Sequence, residues 1–196
     1  MFTIIHPSIS GLALKPFVLE DAKALSSLIE KNRAHLRQRL PWLDQSTTEN
    51  DSVTFIMQCI QNAQTKNALS FAIWLKHILI GTISFHFINA DTKECALGYW
   101  IDSNWEGKGI MSAATKTMIQ YAFDGLSMET IIIRCGIEND KSRAIPKRLG
   151  FIECDRLINA ENLYGQYHDL IIYRLHKIDY QASAIYLKSS VTAQPI

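Results

Sequence analysis

The stretch Asn104 to Lys116 reads NWEGKGIMSAATK. Two glycines flank a lysine, Gly107-Lys108-Gly109, directly after an apolar run and directly before an apolar helical pattern. Backbone without side chains lets a phosphate group approach N–H groups closely. A Walker A loop, G-x-x-x-x-G-K-[ST], fails twice, because Asp102 stands at the first glycine and Gly109 where Ser or Thr would bind magnesium. A dinucleotide fingerprint, G-x-G-x-x-G, fails at its third glycine, where Ser112 stands, and no acidic residue closes the next strand. Two readings remain. One is a plain glycine turn ahead of a helix. The other is a pyrophosphate cradle, in which the N–H groups of Gly107, Lys108, Gly109, Ile110, Met111 and Ser112 wrap an anion at the positive end of that helix.

Other reactive residue types form no pattern. The four cysteines, Cys59, Cys95, Cys135 and Cys154, are scattered without a C-x-x-C pair and read as buried thiols. The six histidines lack metal-ligand spacing, so no metal is expected. His168 and Asp169 look like a catalytic pair, but strand neighbours point to opposite faces.

The elements that must carry the glycine loop follow from hydrophobic period. LALKP, Leu12 to Pro16, is a short strand. Leu19, Ala22, Leu25, Leu28 and Ile29 have helical spacing, with Glu20 and Asp21 in the first turn. A second short helix is expected over Asn32 to Arg39, ended by Pro41. Thr47 or Thr48 caps a third, with an apolar face of Val53, Ile56, Met57, Ile60 and Ala63. The period then changes, and Leu69 to Leu75, Ile78 to Ile88 and Glu94 to Ile101 read as three strands of an antiparallel meander. After the glycine loop comes a helix with Ile110, Ala114, Met118 and Tyr121 on one face. Thr130 to Ile137 reads as a strand buried on both faces. A short helix over about Arg143 to Leu149 and a last strand pair, Phe151 to Ile158 and Tyr167 to His176, complete the pattern. The order predicts an α+β fold with one mixed sheet and helices on both faces.

The chain has 196 residues, enough for one domain with its own core. We expect that domain over residues 1–176, followed by a polar tail over 177–196. Lys and Arg total 20 against 19 acids, a net charge of +1, which gives no support for a nucleic-acid or membrane-surface partner. The opening MFTIIHPSISG has no basic region and no A-x-A site, so a cytoplasmic protein is expected.

The runs ALGYWIDSNWEGKGIMSAA and IENDKSRAIPKRLGF resemble the GNAT acetyltransferase superfamily, and within it the RimJ/RimL-type N-acetyltransferases. LALKPFVLEDAKALSSLIEKNRAHLRQRLPW, FAIWLKHILIGTISF and AENLYGQYHDLIIYRL are similar to that family as well, so the resemblance spans roughly Leu12 to His176. The superfamily's acetyl-CoA loop is written [QR]-x-x-G-x-[GA]. Glu106, Gly109 and Met111 occupy those three positions, and only the central glycine matches strictly.

The resemblance implies a sheet of about six to seven strands in which the two central parallel strands splay apart. Acetyl-CoA is the implied co-substrate, without a metal. Its pantetheine arm would pair with backbone near Tyr99, Trp100 and Ile101, and its pyrophosphate would lie on Gly107 to Ser112. Asn139 would contact the pantetheine arm. Ser142 would lie near the sulfur as the acid, although Ser at the start of a helix also reads as its cap. Glu161, expected in the loop between the last two strands, would be the base, although a solvated loop acid is the plain alternative. Tyr99, Trp100, Trp105, Tyr164 and Tyr167 are candidates to line the acceptor groove. The segment Arg33 to Trp42 is expected to cover its entrance, where Arg33, Arg37 and Arg39 could hold an acidic peptide, although a solvated helix face is the plain alternative. The implied reaction is acetyl transfer to an α-amino group, as on a ribosomal-protein N-terminus. A small amine such as a polyamine or aminoglycoside, or a non-catalytic acyl-CoA module, are the alternatives. The resemblance leaves room for a homodimer.

Overall fold

Alternating apolar and polar residues fold the middle of the chain into long strands, and the helical stretches pack on the two faces of the sheet they form. The computed structural model describes residues 2–6, 9–183 and 193–195, with side chains for 3–6 and 9–183. In chain order the elements are β1 (Phe2–Ile5), β2 (Leu12–Pro16), α1 (Ala22–Leu36), α2 (Glu49–Thr65), β3 (Leu69–Leu75), β4 (Ile78–Asn89) and β5 (Glu94–Ile101). There follow α3 (Ile110–Gln120), β6 (Thr130–Gly136), α4 (Asp140–Arg148), β7 (Ile152–Leu163), β8 (Gln166–His176), α5 (Lys177–Ala182) and β9 (Ala193–Pro195). The strands form one sheet in the order β7-β8-β6-β5-β4-β3-β2-β1-β9. Every neighbouring pair is antiparallel except β5 and β6. The seven expected strands are all present, and β1 and β9 add to one edge.

Two apolar clusters lie on opposite faces. Leu25, Leu28 and Ile29 of α1 and Ile56 of α2 pack with Ala72 and Leu79 on one. Met111, Ala114 and Met118 of α3 pack with Phe85, Leu97, Ile133 and Tyr173 on the other. Helix α1 merges the two expected helices, because Glu30 to Arg33 contain no breaker, and ends at Leu36 rather than Arg39. Thr48 caps α2 in a capping box, with Thr48 N–H donating to Asp51 at 2.8 Å and Asp51 N–H to Thr48 Oγ1 at 3.3 Å. The buried side of α2 is Ser52, Ile56 and Cys59. Met57, expected in its apolar face, is 58% exposed, because the helix is rotated about its axis relative to that reading.

The segment expected as a polar tail begins with α5, whose Tyr180 is 1% exposed and rests on Phe123 with ring centroids 5.4 Å apart. Most of the remaining expected tail, 184–192 and 196, lies outside the described residues. β6, expected to be buried on both faces, is open at Arg134, because no residue of β6 belongs to the α1–α2 cluster. Among the described residues no helix is long and apolar enough to cross a membrane.

Candidate active site

The parallel pairing of β5 with β6 covers only three positions, Glu94 with Thr130, Cys95 with Ile131 and Ala96 with Ile132. Beyond them β5 continues to Ile101, held on its other edge by β4, and β6 continues to Gly136. The two strands therefore splay, and among the described residues the β5 edge from Leu97 to Ile101, including Trp100 and Ile101, faces no strand. A bulge in β4 between Phe85 and Phe87 lies beside the point of divergence, where bulges add twist. The bulged His86 lies over Gly98, where any Cβ would come within 2.3 Å of its Nε2.

Strand alternation divides the site between two faces. Tyr99 and Cys135 point to the α3–α4 side, where Ser142 meets them. The Ser142 Oγ lies 3.3 Å from Cys135 Sγ, and the Tyr99 hydroxyl donates to the Ser142 carbonyl at 3.2 Å. Burial pushes the Cys135 thiol up to about 11 and raises Tyr99 as well. On the opposite face, Glu161 Oε2 lies 3.9 Å from the position a Cβ would take at Gly136. Glu161 sits in β7, opposite His168 of β8, rather than in the expected loop, because these strands run on to a tight turn at Tyr164-Gly165. It is half-buried. Burial raises its pKa above the ordinary glutamate value, while His168 and Arg39 oppose that rise.

The cap reading of Ser142 does not hold. Helix α4 starts at Asp140, three residues earlier than expected, and Asn139 caps it by accepting the Ser142 N–H at 3.2 Å. The Ser142 hydroxyl is thereby released from capping. Pro146 stands in the second turn of α4, four residues after Ser142. Its ring supplies no N–H to the Ser142 carbonyl, and the Tyr99 hydroxyl fills that place. Sequence reasoning missed this coupling and also Cys135 as a neighbour of the site. The Ser-x-x-x-Pro spacing was the available signal for the first.

The glycine loop has the form a phosphate cradle requires. Gly107 and Gly109 have φ of 71° and 77°, a region other residues avoid, and nothing lies within 4 Å of either Cβ position. Gly109 is the N-cap of α3 and offers no side-chain cap, so the N–H groups of Ile110, Met111 and Ser112 start the helix without intrahelical partners. The residues present thus fit a pyrophosphate. Lys108 is turned toward the ring of Trp105, at 4.6 Å, while Arg148 donates to Ser112 Oγ at 2.7 Å and brings a second cation to the cradle. Asn32, buried in α1, pins the start of the loop by accepting from the N–H and hydroxyl of Ser103 at 3.0 and 3.1 Å.

Glu106, the unexpected acid of this loop, is bound on both sides, to Lys141 and to His35, each at 2.7 Å. Burial alone would raise its pKa, but these two partners outweigh burial and lower it. Its charge is thus spent on α1 and α4. A hollow of about 560 Å³ beside the loop, lined by Lys31, Trp74, Asp102, Trp105 and Lys108 among others, contains neither Ser142 nor Glu161.

At the acceptor side the Tyr164 hydroxyl donates to the Leu40 carbonyl at 2.7 Å and Arg37 stacks on the Tyr164 ring at 3.7 Å, tying the β7–β8 turn to the segment after α1. Tyr167 is exposed, and Trp100 packs beside the α1–α2 cluster. Of the arginines considered for an acidic acceptor, Arg33 and Arg37 are engaged within the chain, Arg33 with Glu30 and the carbonyls of Leu43 and Ser46, Arg37 with Asp44. Among the described residues no group of three or more His, Cys, Asp or Glu could hold a metal.

A splayed parallel pair, a glycine cradle at a helix start and a polar pair astride the gap define an acyl-CoA-dependent transferase. Residues 12–152 match the acetyltransferase (GNAT) domain, and the chain belongs to that family, in its RimJ/RimL type. It is 32% identical over 163 residues to the ribosomal-protein-serine acetyltransferase of Escherichia coli (strain K12), covering 83% of this chain and 91% of that one. The crystal structure of a microcin self-immunity acetyltransferase, MccE, with acetyl-CoA and AMP, superposes with a TM-score of 0.83 at 32% identity, covering 87% of this chain and 97% of that one. RimL, a ribosomal alpha-N-protein acetyltransferase solved with coenzyme A in disulfide linkage to a cysteine, gives 0.84 at 28% identity, over 88% and 97%. The protein is an N-acetyltransferase that uses acetyl-CoA as co-substrate.

Proposed function

We propose that the chain transfers acetyl from acetyl-CoA directly to the α-amino group of a polypeptide, a ribosomal-protein N-terminus being the substrate type, with Glu161 as base and Ser142 as acid. The observation that carries this reading is the position of Glu161, a carboxyl with a raised pKa on the face opposite Ser142 at the splay. A thioester entering from the α3–α4 side would meet an amine arriving from the other. The amine nitrogen attacks the carbonyl carbon, its proton passes to Glu161, and the carbon–sulfur bond breaks toward the Ser142 hydroxyl. Holding the two reactants in line supplies most of the acceleration, and the acid and base add about 10²–10⁴-fold. Gly107 to Ser112 would hold the pyrophosphate, and Asn139 together with the Trp100 and Ile101 backbone the pantetheine arm.

Cys135 favours direct transfer over an acyl-cysteine. With its thiol at about 11, only about one part in 10⁴ is thiolate at pH 7, and the thiolate is the nucleophile.

The acceptor follows from acid–base arithmetic. About a tenth of α-amines, with pKa near 7.7–8.0, are neutral at pH 7, against about 0.04% of lysines near 10.4. A lysine therefore requires about 3 kcal/mol more for deprotonation, which a single carboxylate supplies poorly. The description of RimL as an alpha-N-protein acetyltransferase supports an amino-terminal acceptor, and the name of the Escherichia coli relative supports a ribosomal-protein one. The test compares a Ser-initiated peptide with the same peptide blocked at its N-terminus and carrying one internal lysine. Acetylation of the first alone is expected. Rapid transfer to the second, or to spermidine, overturns the acceptor and leaves the family assignment standing.

A further inference from the structure

Of the eight arginines in the chain, five are tied down. Arg33 binds Glu30, Arg37 binds Asp44, Arg143 binds the Ile137 carbonyl and Tyr173, Arg148 binds Ser112, and Arg156 binds Asp169. The side chains of Arg39, Arg134 and Arg174 make no hydrogen bond or ion pair among the described residues. These three lie on one side of the molecule. Arg134 is opposite Ile172 and Arg174 opposite Ile132, so they are diagonal neighbours on a single face of β6 and β8. Ile133, Cys135 and Tyr173 fill the α3–α4 side, so alternation puts both arginines on the other face, which is that of Glu161. Arg39 stands at the catalytic end, close enough for its charge to act on Glu161.

Among the described residues no helix covers this half of the face. The α1–α2 cluster includes no residue of β6, β7 or β8, Arg134 and Arg174 are exposed, and Phe87 and Ile152 on the same face are 49% and 64% exposed. His86 and His168 add neutral or positive polar groups. The carboxylates on the face are Glu161, held by the chemistry, Asp155 opposite Ile172, and Glu94 at the far end. Asp155 accepts the Arg156 N–H.

We propose that this face is a dock for an acidic stretch of the acceptor polypeptide, just after the residue being acetylated. The proposal rests on the reading of the acceptor as a polypeptide amino terminus. An extended chain advances about 3.3 Å per residue. Arg134 is two residues from Gly136, over which the Glu161 carboxylate sits, and Arg174 is opposite the residue four positions from Gly136. An acceptor running out along β6 therefore brings its third to fifth residues over the two guanidiniums. Their planar forks suit carboxylates. Charge complementarity selects an acidic peptide over a polyamine, which these cations repel. It selects a peptide over nucleic acid because the carboxylates share the face and the chain is balanced overall.

The test uses three peptides with the same Ser-Ala start and Glu, Gln or Lys at positions three to five, against the wild-type protein and the double variant Arg134→Glu/Arg174→Glu. For the wild type, KM for the acidic peptide should be about tenfold below that for the Gln peptide, with the gap closing at high salt as such surface charges are screened. The double variant should reverse the order, favouring the Lys peptide, with kcat for the Gln peptide unchanged. Equal KM values across the peptides, or a loss of kcat on all three, overturns the dock. A change of sedimentation in the double variant with the KM order preserved overturns it too, and makes the face a contact between copies of the chain. If no peptide is acetylated, the amino-terminal reading fails. Binding of a labelled, N-terminally blocked acidic peptide, or its absence, then decides the dock separately.

Discussion

The Ser142 carbonyl should behave as a group that can be served by either of two donors, and removing one tests whether the other matters. In the wild-type chain Pro146 occupies the position whose N–H would bond this carbonyl in a regular helix, and the Tyr99 hydroxyl donates to it at 3.2 Å instead. Tyr99→Phe removes that donor, and Pro146 offers no N–H to replace it. A buried orphan of this kind costs about 1–3 kcal/mol. Ser142 is only half-buried, so water can offset part of the loss, and about 1–2 kcal/mol is expected. In a chain of this size each kcal/mol moves Tm by about 2–4 °C, so a fall of about 2–8 °C should be seen. Pro146→Ala returns an N–H at the correct spacing. With that change present, Tyr99→Phe should cost about 0.5 kcal/mol or less, a coupling of about 1 kcal/mol or more between residues that share one acceptor. Denaturant unfolding of the four proteins in this cycle, at a common slope, measures it. Costs that add within about 0.3 kcal/mol would refute the reasoning, since Tyr99 would then be stabilising the chain by packing alone. The same variants report on function, because a carbonyl that tilts when its donor is lost carries the Ser142 hydroxyl with it.

Two further outcomes address the cradle and the base. Gly109→Val places a β-branched side chain at a φ of 77° and into the open space above the loop, so acetyl-CoA affinity measured by calorimetry should fall at least tenfold, about 1.4 kcal/mol; unchanged affinity in a folded variant removes the loop from the site. Glu161 must be deprotonated to accept a proton, and burial raises its pKa, so kcat/KM should climb with pH along a limb lying above the ordinary glutamate range, and Glu161→Gln should lose most of its activity on the plateau above that limb; a constant mutant-to-wild-type ratio from pH 6 to 9 together with near-wild-type activity refutes the base role.

What could be read from the sequence, and what could not, follows the range of the interactions involved. The glycine loop was legible because its chemistry is local. Positive φ at Gly107 and Gly109 and a helix start immediately after them are properties of six consecutive residues. The seven long strands were legible because each carries its own period. β1 and β9 were not, since strands of four and three residues at the sheet edge have too little pattern to register. The division of the site between two faces was half legible. Alternation puts Tyr99 and Cys135 on one side once the strands are known, but Glu161 required the length of β7, and an acidic residue near a Tyr-Gly turn reads equally well as loop.

Charge was the least legible property, because pairing is a tertiary fact. The run after Asn32 offers three arginines of similar aspect, yet Arg33 and Arg37 are consumed by Glu30 and Asp44, and only Arg39 remains for a substrate. In one dimension Glu106 is a departure from the superfamily's loop pattern. In three it is the residue through which α1, the cradle and α4 are joined, with Lys141 and His35 as its partners on either side. The same shift applies to Ser142. Its hydroxyl had two incompatible uses while the helix was thought to begin at Arg143, and the conflict disappears once the helix starts three residues earlier and Asn139 takes the cap. A one-turn uncertainty in a helix boundary, tolerable for describing a fold, was therefore enough to obscure which side chain was free to act.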